Sequence, residues 1–253
     1  MTGGIEILPL PGMPEITAGS ELGPLLGDAA RTASIAIASE DIIVVSQKVV
    51  SKAEGRIASL DAVEPGGRAR QLGDELGRDP RLVQLVLEES TRIVRAAGGV
   101  LIVETVQGWV CANAGIDASN VQEGWVTLLP VDADASARRI RDELMRACGA
   151  RPAVIVADSF GRAWRLGQVD VAIGCAGLTP IDDWRGRQDR HGRELTATAP
   201  ALADEIAAAA DLARDKASGM PAAVVRGVGR HVHAEDGPGA TAVRRPSADD
   251  LFR

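Results

Sequence analysis

The stretch Val154–Asp170, VIVADSFGRAWRLGQVD, decides how the chain is read. It opens as a continuous apolar run, which suits a strand buried on both faces. The run ends in Asp158-Ser159, and Gly161, Arg162 and Arg165 follow at once. In open α/β sheets, ligands gather at the carboxyl ends of strands. A carboxylate and a hydroxyl there suit a hard cation such as Mg²⁺, which takes one or two carboxylates and fills its shell with water and phosphate oxygens. Arginines and glycine-flanked backbone beside them suit phosphate or carboxylate oxygens. The plainer alternative is a capped strand–turn with a surface ion pair.

Short β-branched runs recur at Ile5–Leu8, Asp41–Val45, Val100–Val103, Ala153–Val156 and Ala222–Val225, and each reads as a strand. Ala135–Cys148 has helical spacing: Ile140, Leu144, Met145 and Cys148 share a face, Asp132, Asp134 and Ser136 offer caps, and Gly149 offers a stop. Leu202–Lys216 and Arg81–Val94 are further helical patterns. Asp61–Pro80, rich in Gly, Arg and Asp, reads as a loop or a poorly packed helix. His231–Arg253 is polar, with two Pro and two Gly, and reads as a linker or C-terminal tail. The expected division is a domain over residues 1–230 and a tail over 231–253.

Composition bounds the function. Of the 253 residues 45% are hydrophobic and 25% charged, the usage of an ordinary globular protein. Four Trp, two Phe and no Tyr leave the core to Val, Ile, Leu and Ala, and leave few platforms for stacking single-stranded nucleic acid. A net charge of −7 argues against a broad nucleic-acid or anionic membrane surface. No run approaches the roughly 18 apolar residues of a membrane span, and the first residues lack a signal peptide's basic and apolar regions. Cys111, Cys148 and Cys175 are widely spaced and odd in number, so neither a disulfide framework nor a structural zinc site is expected. The expected address is the cytoplasm. There is no P-loop of the form GxxxxGK[ST], no GxGxxG after a strand, no HExxH and no GxSxG.

Two more segments carry candidate chemistry. In Cys111–Val121, CANAGIDASNV, small residues allow a tight turn, and Asp117 and Asn120 sit three apart, so both side chains can face one ligand. The alternative is a helix cap. In Ser46–Lys52, SQKVVSK, Lys48 and Lys52 are four apart with hydroxyl and amide donors between them, an arrangement able to hold polyphosphate. A solvated lysine pair is the ordinary alternative.

With these residues in place the chain resembles the coenzyme F420-0:L-glutamate ligase family. The resemblance runs from about residue 5 to 229 through Ile5–Ile16, VVSQKVVSKAEGRI, VCANAGIDASNV, LLPVDADAS, VIVADSFGRAWRLGQVDVAIG and ADEIAAAADLARDKASGMPAAVVRG. It implies an α+β fold of the family's own kind, with mixed sheets and helices, no P-loop and an intertwined homodimer. The implied activity joins the lactyl carboxylate of F420-0 to L-glutamate through an acyl phosphate, with GTP cleaved to GDP and phosphate, and then adds γ-linked glutamates. Two divalent ions, Mg²⁺ or Mn²⁺, and a K⁺ are implied cofactors.

Carried onto this sequence, the resemblance makes Asp117 and Asp158 ligands of the first divalent ion. Ser159, where the family usually has Thr, becomes a ligand of the second. Met13, Pro14, Glu15, Ile16, Ser46, Gln47, Lys52 and Asn120 are the expected GTP contacts, and the Arg214–Pro221 turn is expected to close over the nucleotide. Lys52, Arg162 and Arg165 are expected to offset charge on the transferring phosphoryl group. Val106–Trp109 departs from the family's form. The tail, EDGPGA with an Arg-Pro pair, resembles the connector to a flavin-binding domain in two-domain actinobacterial members. That domain is absent from this chain, so no flavin binding is expected. Competing readings are a ligase or phosphotransferase with another acceptor, a metal-dependent phosphohydrolase, and a non-catalytic protein of the same fold.

Overall fold

The apolar runs pair with one another. In the computed structural model, which describes residues 4–214 and 219–250, the elements in chain order are β1 (Glu6–Leu10), α1 (Leu22–Thr32), β2 (Ile42–Ser46), α2 (Gln47–Ala53), β3 (Ile57–Ser59), α3 (Gly67–Leu76), α4 (Pro80–Glu88) and β4 (Ser90–Ala97). There follow β5 (Val100–Thr105), β6 (Val110–Ala112), β7 (Trp125–Thr127), α5 (Ala133–Cys148), β8 (Ala153–Arg162), β9 (Arg165–Ala176), α6 (Leu202–Asp211) and β10 (Ala222–Arg226). The main sheet has the order β1-β10-β2-β8-β9, with β2 and β8 parallel and the other pairs antiparallel. Side chains alternate across a strand. Ile43, Val45, Val154 and Val156 therefore join the core under α1 and α5, while Ile42, Val44, Ile155 and Ala157 join the core under α6. Burial on both faces is what the unbroken apolar runs required.

Helix α5 starts at Asp132, whose carboxylate accepts the Ala135 N–H at 2.9 Å, and stops at Gly149 in the left-handed conformation. It meets α1 at Gly23, where a Cβ would lie 2.2 Å from that of Glu143. The Gly23 N–H instead donates to Glu143 Oε2 at 2.8 Å. Between α2 and α5 a smaller lobe is inserted. There β3 pairs with β7, and β4, β5 and β6 form an antiparallel sheet covered by α3 and α4 through Leu72, Val83, Val86, Leu101 and Val103. The mixed α and β content with several sheets agrees with the expected class. Among the described residues no helix is long and apolar enough to cross a membrane.

Several expectations need correction. Of the two readings of Asp61–Pro80, loop or poorly packed helix, the helix holds over its middle as α3, but it is well packed, with Ala69 and Leu72 buried. The pattern over Arg81–Val94 divides. Asp79 caps α4 by accepting the Arg81 N–H at 2.8 Å and the helix ends at Glu88, while Ile93 and Val94 belong to β4, with Ile93 opposite Val103. Pairing with β5 wins over helical spacing where β-branched residues cluster. Helix α6 ends at Asp211, short of Lys216, and Asp215–Ser218 lie outside the described residues.

The polar stretch after residue 230 is packed onto the main sheet's helices. Arg141 on α5 is 1% exposed and donates to Pro152 O (3.0 Å), Ala234 O (3.0 Å), the Asp236 carboxylate (2.6 Å) and His233 O. Buried Asp134 accepts the N–H groups of Cys175 (2.8 Å) and Ala240 (2.7 Å). Packing therefore continues through the boundary expected at 230. Arg141→Ala takes the guanidinium from Pro152 O and His233 O and leaves Ala234 O and the Asp236 carboxylate to Arg151 alone, so it should cost about 2–3 kcal/mol in urea unfolding and expose the segment after 230 to protease. A loss under about 1 kcal/mol would show that the latch is dispensable.

Candidate active site

A cleft of about 340 Å³ lies at the sheet edge where β1 and β2 end and β10 begins. Four walls meet there: the loop Met13–Ile16 after β1, the β2–α2 junction, the lobe segment carrying Asp117 and Asn120, and Arg214 with Gly219–Pro221. Ala157, Asp158 and Ser159 of β8 and Asp170 of β9 also line it. The cleft thus brings together Met13, Pro14, Glu15, Ile16, Ser46, Gln47, Lys52, Asp117, Asn120, Asp158 and Ser159.

Asp117 is set by a short backbone exchange with Thr127, Asp117 N–H to Thr127 O at 3.1 Å and Thr127 N–H to Asp117 O at 2.8 Å. The turn before it is tight. Gly115 sits at φ 70° with Leu129 so close that a Cβ would fall 2.7 Å from its Cδ2. Asp117 accepts the Ser119 N–H (2.6 Å) and hydroxyl (3.0 Å), and Lys48 Nζ lies 2.8 Å from its Oδ2. Burial opposes its ionisation, but Lys48 and the Ser119 N–H outweigh burial and hold the carboxyl below the usual range. The Lys48 ammonium also donates to Ser119 Oγ.

Asp158 accepts the N–H of Ser159 at 2.9 Å and forms no ion pair among the described residues. Burial, with the charges of Asp170 and Asp117, pushes its carboxyl up to about 7 despite that N–H and Lys48. Ser159 stands opposite Asp170 in the β8–β9 register and donates its hydroxyl to Asp170 Oδ1 at 2.6 Å. The other oxygen of Asp170 takes Nη2 of Arg214, and both side chains are 6% exposed. The Arg214 Nε is buried without a hydrogen-bond partner. Strand β8 therefore runs through the site, and the capped strand–turn alternative fails. Among the described residues no three His, Cys, Asp or Glu side chains converge closely enough to hold one ion as they stand.

Lys48 and Lys52, one turn apart on α2, both face the cleft, where Lys52 Nζ pairs with Glu15 Oε1 at 2.5 Å. Gln47 turns inward: its amide donates to Leu128 O at 3.1 Å and Ser51 Oγ at 2.5 Å, leaving its NH₂ engaged in the core. Arg162 and Arg165 are not at the cleft. β8 and β9 continue past it as a hairpin, and the two arginines face each other at its exposed tip beside Trp164 and Leu166. Cys111 is a buried thiol, pushed up to about 12 by burial and the Asp158 charge, so it stays a small hydrophobe. Sequence reasoning missed Asp170, Ser119, Asp211 and the pairing of Arg214. The register of a hairpin through Val154–Asp170 was the one signal that would have placed Asp170 opposite Ser159.

The F420-0:Gamma-glutamyl ligase family profile matches residues 12–227. A protein of Methanothermobacter thermautotrophicus named coenzyme F420:L-glutamate ligase is 43% identical over 251 residues, 99% of each chain. Proteins of the same name from Methanopyrus kandleri and Archaeoglobus fulgidus are 39% identical over 98% of each chain and 42% identical over 88% of each chain. The match takes in both lobes and every wall of the cleft, and on it the chain belongs to the F420-0:gamma-glutamyl ligase family.

Proposed function

We propose that this cleft joins L-glutamate to coenzyme F420-0 at the expense of GTP, and then adds further γ-linked glutamates. The observation that carries the reading is the meeting of Asp117, Asp158 and Ser159 with Lys48 and Lys52 in one cleft, in a chain whose relatives are named for this ligation. A free carboxylate is a poor acyl donor because oxide is a poor leaving group. A lactyl carboxylate oxygen therefore attacks the γ-phosphorus and GDP departs; the glutamate nitrogen then attacks the acyl carbon, phosphate departs, and the amine loses a proton. The first step is chiefly positioning and charge neutralisation.

The donor set fits divalent cations. Asp158 carries a carboxyl without an ion-pair partner among the described residues, and the Ser159 hydroxyl, held by its hydrogen bond to Asp170, adds an oxygen beside it. Asp117, Asp158 and Ser159 would hold Mg²⁺ or Mn²⁺, which supplies neutralisation of phosphate oxygens. K⁺ enters this reading from the family resemblance alone. Lys52 would sit against the phosphates, with Met13–Ile16 and Asn120 flanking the nucleotide. A homodimer belongs to the same reading, because Trp164 (81% exposed) and Leu166 (99% exposed) are apolar surface that a second copy would cover.

Mass spectrometry of F420-0 incubated with GTP, Mn²⁺ and L-glutamate should show successive gains of one glutamyl unit. Asp158→Ala and Lys52→Ala should slow the first addition by at least about 100-fold. GTP cleavage without a glutamylated product would point to another acceptor or to a phosphohydrolase, and undiminished turnover by Asp158→Ala would refute the cation assignment. Acidity gives a separate test. Between an ordinary carboxyl value near 4 and the folded value of about 7, the unfolded chain has released the Asp158 proton while the folded one still holds it. Stability therefore falls as pH rises through that window. In EDTA, Asp158→Asn should be more stable than the parent at pH 8 and equal to it near pH 3. A parent more stable than the variant at pH 8 would contradict the assignment.

A further inference from the structure

We propose that Lys48 and Arg214 are exchangeable counter-ions, each holding a cleft carboxylate until a divalent cation replaces it, and then turning to the nucleotide's phosphates. The inference rests on the cation-and-nucleotide reading above and adds to it a route by which the two ligands assist each other. Among the acidic side chains that line this cleft are Asp117, Asp158 and Asp170. Lys48 serves Asp117 from the β2–α2 junction at 2.8 Å, and Arg214 serves Asp170 from beyond α6. Asp158, between them, has neither.

A cation that enters at Asp158 gains full access to Asp117 or Asp170 only when the resident base lets go, since two positive groups on one carboxylate repel. Arg214 is poised for this, because its Nε is buried with no acceptor and so its present place leaves a donor unused. Asp170 is the hub. It accepts both the Ser159 hydroxyl and the Arg214 guanidinium, and so acts as a positioning residue for Ser159. Both bases line the cleft that would receive the triphosphate, so a base freed by the cation needs no large movement to meet an anion. Cation and nucleotide then raise each other's affinity by the same factor.

The sign of the effect separates this device from simple charge stabilisation. Free Mn²⁺ is measured by its electron paramagnetic resonance signal, in nucleotide-free protein and with GDP. Without nucleotide, Lys48→Gln and Arg214→Gln should bind Mn²⁺ roughly tenfold more tightly than the parent, because a competitor has gone. With GDP the parent's affinity should rise more than that of either variant. Unchanged or weaker nucleotide-free Mn²⁺ affinity in folded variants, beside clear binding by the parent, would overturn the exchange and leave the cation site standing. A parent that binds no Mn²⁺ at all would overturn both. Arg214→Gln leaves a buried carboxylate unpaired, so circular dichroism checks its fold. Should it not fold, Lys48→Gln decides by the same two results.

Discussion

Asp117, Asp158 and Asp170 bring three acidic side chains to one cleft, where burial and mutual repulsion oppose their all being charged at once. Around that repulsion the neighbouring chemistry is ordered. One carboxylate is answered by a lysine, one by an arginine, and the third retains its proton towards neutrality. Carboxyls perturbed by burial and by their neighbours in this way cluster at functional clefts. The price is a cleft less stable empty than an apolar one of the same shape would be.

The fold places these groups by joining distant segments. Parallel pairing of β2 with β8 sets Ser46 opposite Ala157, next to Asp158. Asp117 comes from the inserted lobe, and the Lys48–Asp117 contact crosses from the main sheet's edge to that lobe. Membership of the F420-0:gamma-glutamyl ligase family gives this arrangement its functional context.

Much of this was legible beforehand, for identifiable reasons. The strands of the main sheet showed because burial on both faces demands unbroken apolar runs, as in Ile42–Val45. Helix α5 showed because it has both a cap and a glycine stop. Asp117 could be singled out as an oxygen donor beside a tight turn, and Asp158 and Ser159 as oxygen donors following an apolar run. Arg162 could not be placed from adjacency: four residues of extended strand carry it about 13 Å beyond Asp158. Asp170 is visible only once the hairpin's register is known. The hydrogen bonds of the stretch after 230 were not legible because they run from its backbone groups to Arg141 and Asp134, which leaves no hydrophobic period.

The outermost pairing has a temporal consequence. Strand β1 lies against β10, with Leu10 opposite Ala222, and the loop after β1 forms one wall of the cleft. During synthesis from the amino terminus, that first strand waits for nearly the last one before it can dock. Such long-range closure is slow compared with local helix formation. A ribosome-bound chain can therefore complete the inserted lobe and still lack a closed cleft, so assembly of the cleft arrives as the final event of folding.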